Sequence, residues 1–318
     1  MQNRYSGDIG DFSKLGLLRV LHAAGLTIGL NWYLTPNETH NSDGLHVKYL
    51  DQEKFRACDE ELWLNLKRIV DSGQREIRFL EAEDILQATF FSECLDLAGK
   101  TKSQRLTCRH RWFSKSLSSM SGIDLVCVDP DNGLVVPSAL SRPKENKYVL
   151  PEELAAYYAQ GSSVIYYQHK ARRKDDFYIE QHRKLMSRHD FVGTTGLVLK
   201  FKTTSQRYYM FIVQPRHKDD DNLVEAVGNA VIARDYDVRQ RKAVLADAIV
   251  LTDGRVVETR SAKRSYSGSI ELSAITDWDF DLLAILIFDE NGYIESDIEV
   301  EGAQGHRVSH GQGAELQL

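Results

Sequence analysis

The sequence predicts an α/β protein, with a larger Rossmann-like sheet followed by a small second α/β domain. Short apolar runs alternate with amphipathic segments over the first half of the chain, which indicates a parallel sheet covered by helices on both faces. One of these runs, residues 123–128, is rich in β-branched residues and leads directly into a turn. Near the C-terminal end, Asp253-Gly254 separates two further apolar runs and predicts a hairpin.

The first predicted element is a helix at residues 11–24, with Asp11 or Ser13 as its cap and Gly25 at its end. The elements expected after it are a strand at 30–34, a helix at 59–71, a strand at 76–80, a helix at 109–120, a strand at 123–128, a helix at 151–160, a strand at 163–168, and an antiparallel pair at 196–202 and 208–214.

A dense run of charges at 215–221 predicts a boundary after the antiparallel pair. Beyond it we expect a helix at 222–234 and strands at 246–251, 255–260 and 280–288. The predicted domains are therefore 1–218, a Rossmann-like domain, and 219–301, a small α/β domain, with a flexible tail at 302–318.

Composition limits the class of protein. The chain has 318 residues, and its 42% hydrophobic and 27% charged residues are typical of an ordinary globular protein. A net charge of −6 argues against a uniformly basic nucleic-acid-binding protein, although it allows a local basic groove. The four cysteines lack C-x-x-C spacing, and no apolar run suits a signal peptide or a membrane helix, so we expect a cytoplasmic protein with reduced thiols and no membrane partner.

The turn at 129–133 is the strongest candidate site. Asp129, Asp131 and Asn132 follow a predicted buried strand, and open α/β sheets bind ligands at the carboxyl ends of their strands. Pro130 fixes the backbone between the two carboxylates. The three polar residues are candidate catalytic residues, and the alternative is an ordinary surface turn built from turn-favouring residues.

A polar loop at 35–44 follows the first predicted strand. Glu38, His40 and Asp43 lie in it, and together with Asp11 they are candidate cofactor-binding residues. If this loop and the turn at 129–133 face one crevice, a cluster of Asp129, Asp131, Asp43 and His40 could instead hold a metal ion. The alternative is a solvated loop.

Basic residues follow the predicted strand at 163–168. His169, Lys170, Arg172 and Arg173 are candidate nucleic-acid-binding residues because cations at a strand's carboxyl end suit phosphate contacts. A second basic and aromatic group lies at 105–113 and has the same potential. A solvated charged face is the alternative for either group.

Three segments of residues 1–218 resemble the large-subunit ribosomal RNA adenine-N6 methyltransferase family. They are Gly7-Asp8-Ile9-Gly10-Asp11-Phe12-Ser13-Lys14 entering the first helix, Asp129-Pro130 after a strand, and Val164-Ile165-Tyr166-Tyr167 beyond it. The resemblance implies S-adenosylmethionine (SAM) as cofactor. It also implies an Asp-Pro-Pro-Tyr motif, whose carboxylate and carbonyl hold the target amino group while the aromatic ring stacks on the base.

This chain departs from that family at two places. Asp131 and Asn132 stand where the motif has its second proline and its aromatic residue. The family also binds SAM on a glycine-rich turn after the first strand, whereas residues 35–44 contain the single glycine Gly44.

In the predicted second domain, residues 219–301, Asp247 begins a strand, a hairpin follows, and Val256-Val257-Glu258-Thr259-Arg260 continues it. This pattern resembles the PD-(D/E)xK nuclease superfamily, which implies a small α/β restriction-endonuclease-like domain. The resemblance implies that Asp247 and Glu258 are catalytic and bind Mg²⁺ against a scissile phosphate. Arg260 stands where the superfamily has lysine, and an arginine can bind phosphate but does not readily act as a base.

Three functional hypotheses follow. The first is a nucleic-acid-acting, SAM-dependent N-methyltransferase-like modifying enzyme of a restriction or defence system. The second is a Mg²⁺-dependent nuclease that uses Asp247 and Glu258. The third is a catalytically inactive nucleic-acid-binding or interaction subunit, with DNA or RNA and a further subunit of a defence system as its expected partners.

Overall fold

The structure is a computed structural model. It describes residues 1–38, 44–82, 84–191, 194–202 and 206–218, together with six strands in the remainder of the chain. The predicted helix at 222–234, the hairpin residues Asp253-Gly254 and most of the predicted tail at 302–318 lie outside the described residues.

Helices and strands alternate over the first 213 residues, as the sequence predicts. The α-helices are α1 (Ile9–Ala23), α2 (Glu53–Arg56), α3 (Glu60–Asp71), α4 (Lys102–Ser119), α5 (Pro151–Ala159), α6 (Asp175–Met186) and α7 (Pro215–Lys218). The strands are β1 (Ile28–Asn31), β2 (Thr89–Phe91), β3 (Leu125–Val128), β4 (Gly133–Leu134), β5 (Tyr148–Val149), β6 (Ser163–His169), β7 (Thr195–Lys202), β8 (Gln206–Val213), β9 (Ala248–Leu251), β10 (Val256–Arg264), β11 (Ile270–Leu272), β12 (Leu282–Phe288), β13 (Ile294–Glu301) and β14 (Glu315–Leu316). Within these described parts, no helix combines the length and the apolar character that crossing a bilayer requires.

One mixed sheet forms the centre of the protein, and six of its strands lie in the order β2-β1-β3-β6-β8-β7. The first four strands are parallel, and β8 and β7 form the expected antiparallel pair. Beyond β7 the sheet continues through β9, β10, β12 and β13, while β11 pairs with β10 and β14 pairs with β11. The α/β class is therefore confirmed, and the carboxyl ends of β1, β3 and β6 meet at one edge.

Each face of the sheet is covered by its own hydrophobic layer. Phe12 of α1 and Leu66 of α3 belong to the layer that contains Leu125 and Cys127 of β3. The intervening strand residues, Val126 and Val128, belong to the opposite layer. That second layer is built from α4, α5 and α6, represented by Trp112, Tyr157 and Tyr178. Alternate strand residues thus point to opposite faces, which places α1 on one side of the sheet and α4–α6 on the other.

Several predicted boundaries were wrong. Asp8, rather than Asp11 or Ser13, caps α1, because its side chain accepts the N–H groups of Gly10 and Asp11. The predicted strand at 76–80 is instead a short 3-10 helix, Ile77–Phe79, and the N–H of Ile77 donates to the Asn3 side chain. Helix α4 begins seven residues before the predicted start, where Thr101 and Gln104 form a capping box.

The basic and aromatic group at 105–113 contributes to the core. The guanidinium of Arg109 donates to both carboxylate oxygens of Glu153, at 2.7 and 2.6 Å. The hydroxyl of Tyr33 donates to the same carboxylate at 3.1 Å. Trp112 packs edge-on against Tyr33. Arg109 and Trp112 therefore hold α4 to α5 and to the chain after β1. The sequence indicated that they contact nucleic acid, but both side chains are buried.

A buried histidine makes the stability of this fold depend on pH. His182 of α6 contacts the hydroxyl of Tyr166 at 3.0 Å, and burial lowers the pKa of His182 from 6.5 to about 4. Between these two pH values the unfolded chain binds a proton that the folded chain does not. The free energy of unfolding therefore falls as the pH drops through this window, and this contribution is fully present above it.

We predict that lowering the pH from about 7 to about 5 removes about 2 kcal/mol of stability through this residue. His182→Gln retains a hydrogen-bonding amide and cannot titrate, so its loss over the same range should be smaller by that amount. Urea unfolding of both proteins at the two pH values measures the difference. Parallel losses in the two proteins would contradict the assignment.

Candidate functional site

A cleft of about 400 Å³ opens at the carboxyl ends of β1, β3 and β6. Asp129 lies in it directly after β3, and its N–H donates to the carbonyl of Asn31 at the end of β1 at 2.9 Å. The residues that line the cleft come from six separate segments of the chain and are Met1, Tyr5, Asp8, Gly10, Asp11, Lys14, Glu38, Gly44, His46, Asp129, Pro130, Asp131, Asn132, Lys147, Tyr167, His169 and Arg207. Charged side chains of both signs dominate the lining.

Lys14 joins the first helix to the end of β3. Its ammonium donates to Asp11 at 2.9 Å and to Asp129 at 2.5 Å, and it lies over the ring of Trp32 at 4.6 Å. The i, i+3 spacing on α1 brings Lys14 beside Asp11, and the carboxyl end of β3 supplies the second carboxylate. All three charged side chains are less than 8% exposed.

The charges of this cluster do not balance, since one ammonium serves two carboxylates. Burial by itself would lower the pKa of Lys14, but Asp11 and Asp129 more than offset burial and raise that pKa well above its usual range. Burial raises the pKa of Asp11 to about 6, with Lys14 opposing the shift and Asp8 and Asp129 reinforcing it. Lys14 is therefore a permanent cation, and Asp11 takes up a proton in mildly acidic solution.

A second network holds Asp131 on the other side of the cleft. The backbone ammonium of Met1 lies 2.6 Å from Asp131 and donates to the carbonyls of Asp129 and Tyr33. Lys147 lies 2.6 Å from Glu38 and 3.7 Å from Asp131. Burial alone would raise the pKa of Asp131, but the Met1 ammonium, with help from Lys147, holds it below its usual value. Asp131 is thus an ionised wall of the cleft.

The turn after Asp131 depends on a glycine. Gly133 has φ +102°, and a Cβ at this position would lie 2.3 Å from the side-chain oxygen of Gln168. Gln168 donates to the carbonyl of Asn132 at 2.9 Å and accepts the N–H of Leu134 at 3.0 Å. One amide on β6 therefore fixes the turn that carries the candidate catalytic residues.

The structure brings together six of the predicted site residues. Asp11, Glu38, Asp129, Asp131, Asn132 and His169 all line the cleft. His40, Asp43 and Asp247 lie outside the described residues. Glu258 and Arg260 lie two residues apart on β10. The described residues contain no group of three or more histidine, cysteine, aspartate or glutamate side chains placed to hold a metal ion.

The basic run after β6 divides into two parts. Lys170 and Lys200 both pair with Asp175, and the Tyr208 hydroxyl donates to the same carboxylate at 2.7 Å. Burial alone would raise the pKa of Asp175, but these three donors lower it to about 2. Lys170 is therefore held in place, whereas Arg172 and Arg173 remain exposed.

Sequence reasoning did not identify Lys14, Lys147 and Arg207 as site residues. Lys14 had a local signal, since it lies three residues after Asp11 on the first helix. Arg207 comes from the antiparallel strand β8, and its guanidinium lies against Gly10 at the start of α1. Lys147 lies fifteen residues beyond Asn132, whose N–H donates to the Lys147 carbonyl. Neither of these two has a spacing that predicts its place in the cleft.

We predict that Gly133→Ala destabilises the protein by roughly 2–3 kcal/mol, because the left-handed backbone is strained and the Gln168 amide must move. Gly161→Ala is the matched control, since Gly161 has φ +96° and open space around its Cβ position. It should lose only about 1 kcal/mol. Urea unfolding of the two variants separates the backbone cost from the steric cost, and equal losses would show that Gln168 does not constrain the turn.

Comparisons with known proteins do not assign this chain to a family. No family model matches the sequence, and no curated protein matches it. Among solved structures, a Legionella pneumophila str. Philadelphia 1 protein of the family model DUF519 is similar, with 13% sequence identity and a TM-score of 0.35. The alignment covers 71% of this chain and 93% of that protein. A likeness this distant says nothing about the activity of the cleft.

Proposed function

We propose that this protein is a SAM-dependent N-methyltransferase-like enzyme that acts on nucleic acid. The observation that carries the proposal is the position of Asp129 and Pro130. They lie in a cleft at the carboxyl ends of three parallel strands, beside the first turn of α1, which is where open α/β sheets bind ligands. The antiparallel pair β7 and β8 supports the proposal, since such a pair commonly closes a class I methyltransferase-like sheet.

The donor set of the cleft fits SAM, which carries an ammonium, a sulfonium, a carboxylate and two ribose hydroxyls. Asp8, Asp11 and Glu38 offer carboxylates to its cationic groups and hydroxyls, and Arg207 offers a guanidinium to its carboxylate. A volume of about 400 Å³ is within the usual range for a small-molecule site.

The chain turns after β1 without a glycine, which removes one objection to a cofactor there. Tyr33 adopts a left-handed conformation with φ +44°, and its N–H donates to the Asn31 side chain at 2.9 Å. Its ring packs against Trp112 and its hydroxyl donates to Glu153, so the side chain is directed into the core. The Tyr33 carbonyl accepts from the ammonium of Met1, and the chain that follows brings Glu38 to the cleft.

The residues of the chain would position the acceptor amine. Lys14 holds one carboxylate oxygen of Asp129, which leaves the other oxygen and the Pro130 carbonyl to accept N–H bonds from the amine. These bonds orient the nitrogen lone pair, and SAM, when bound, supplies the methyl group. Asn132, which stands at the position of the motif's aromatic residue, has no ring to stack on a base. Tyr167 and His169 line the cleft from β6, and their rings are of the kind that stack on bases.

We predict that isothermal titration calorimetry detects SAM binding and that Glu38→Gln weakens it by about ten-fold through loss of a charge-assisted contact. Asp129→Asn should retain SAM binding but lose methyl transfer to RNA or DNA, because it holds the acceptor. Asp124→Asn is the matched control at the opposite end of β3, where Asp124 contacts Thr27. It should retain both properties. An absence of heat with the wild-type protein would refute SAM as the cofactor.

The nuclease hypothesis remains a second candidate because of the strand pairing around Glu258. Strand β10 is antiparallel to β9 and parallel to β12, and Glu258 lies opposite Ala248, the residue after Asp247. If this hypothesis holds, Mg²⁺ or Mn²⁺ should support nicking of a plasmid, and Glu258→Gln should abolish it. No nicking with either metal would exclude this activity. Nucleic-acid binding without nicking or methyl transfer would favour the third hypothesis, an inactive binding subunit.

A further inference from the structure

A short basic segment, residues 141–147, lies between β4 and β5 in the chain and ends at Lys147, a cleft residue. Arg142 and Lys144 in this segment are exposed, and neither forms an ion pair with a carboxylate of the described residues. The single acid of the segment, Glu145, is buried and lies 3.8 Å from Arg109. The segment therefore presents two unneutralised cations to solvent on a protein whose net charge is −6.

Buried groups fix the backbone of this surface segment. Ser141 has a left-handed φ of +61°, and its N–H donates to the Glu145 carboxylate. The carbonyl of Glu145 accepts from Arg109 at 2.9 Å, and the carbonyl of Ser141 accepts from Arg105 at 2.5 Å. The amide of Asn146 donates to the Leu95 carbonyl at 3.0 Å. Because two arginines of α4 serve its backbone, Arg142 and Lys144 are held on a preorganised turn, which lowers the entropic cost of binding a ligand.

The local helix relates Lys144 to a residue of the cleft. Residues Pro143–Lys147 form a 3-10 helix, in which side chains three residues apart lie one above the other. Lys144 therefore stands over Lys147, which lines the cleft and pairs with Glu38. Lys144 is thus one helical turn from a residue that lines the cleft.

The same edge of the sheet carries the exposed cations of the loop after β6. Arg172 and Arg173 follow His169, another cleft residue, and the Gln168 amide links that strand to Asn132. Arg105 links the segment at 141–147 to the first turns of α4, where Lys102 is exposed. The segments that follow β2, β3 and β6 thus all carry exposed cations at the carboxyl edge of the sheet.

We infer that Arg142 and Lys144 contact the phosphodiester backbone of a nucleic-acid strand whose reactive base enters the cleft. This inference rests on the proposed function, and it adds a second contact element to the one formed by Arg172 and Arg173. Cations on a fixed turn suit phosphates, which are contacted without regard to sequence. The segment would therefore hold the strand in position at the cleft rather than select its bases.

The test measures fluorescence anisotropy of labelled single-stranded RNA and single-stranded DNA of mixed sequence, over a series of salt concentrations. Arg142→Gln with Lys144→Gln should weaken binding by about ten-fold and reduce the slope of log affinity against log salt by about 1.4, the value for two lost phosphate contacts. Comparing the RNA and DNA arms identifies which polymer is bound. Arg183→Gln with Lys184→Gln, two exposed cations on α6, is the control and should change neither quantity.

An unchanged affinity and slope in the Arg142 and Lys144 double variant would overturn the inference, and so would an equal loss in the control. A wild-type protein that binds neither polymer would also overturn it. Calorimetry with SAM on the same proteins separates this failure from that of the cofactor assignment. If calorimetry detects SAM binding but the wild-type protein binds no nucleic acid, the cofactor assignment stands and the inference fails. If calorimetry detects no SAM binding but the double variant alone loses affinity for nucleic acid, the inference stands and the cofactor assignment fails.

Discussion

The buried contact of Lys14 with Asp11 and Asp129 is the interaction on which the cleft depends. It ties the first helix, on one face of the sheet, to the end of the central strand β3. Both elements supply walls of the cleft, so their relative position sets its shape. Breaking such a buried pair typically costs about 3–5 kcal/mol, because it leaves an uncompensated charge in the interior. The cluster is therefore structural, and in the proposed function it also holds Asp129, the carboxylate that binds the acceptor amine.

The parts of the fold that follow from local periodicity could be predicted from sequence. Strands β3 and β6 are continuous apolar runs, and the rule that ligands bind at strand carboxyl ends placed Asp129, Asp131 and His169 at one edge. The expected strand at 76–80 failed because alternation predicts a ladder only if a neighbouring strand is available, and Asn3 takes the Ile77 N–H instead. Lys147 and Arg207 could not be foreseen, since tertiary packing of distant segments brings them to the cleft.

Charge is distributed in this protein by position rather than by overall composition. The net charge of −6 hides a cleft in which cations and carboxylates alternate at hydrogen-bonding distance. It also hides a rim of exposed cations at the carboxyl edge. Two carboxylates near those cations are themselves paired: the buried Glu145 with Arg109, and the partly exposed Asp175 with Lys170 and Lys200. Composition alone therefore excludes a uniformly basic surface but not a local one.

The left-handed Tyr33 has a consequence for how the protein tolerates change. Where a glycine makes such a bend, the loop owes its form to local backbone freedom and is insulated from its surroundings. Here the bend exists only because an aromatic ring is anchored in the hydrophobic layer beneath the opposite face of the sheet, against Trp112 and Glu153. The course of the chain from β1 to Glu38 in the cleft therefore depends on packing in the core. Substitutions in that layer during evolution would reshape the cleft without altering any residue that lines it.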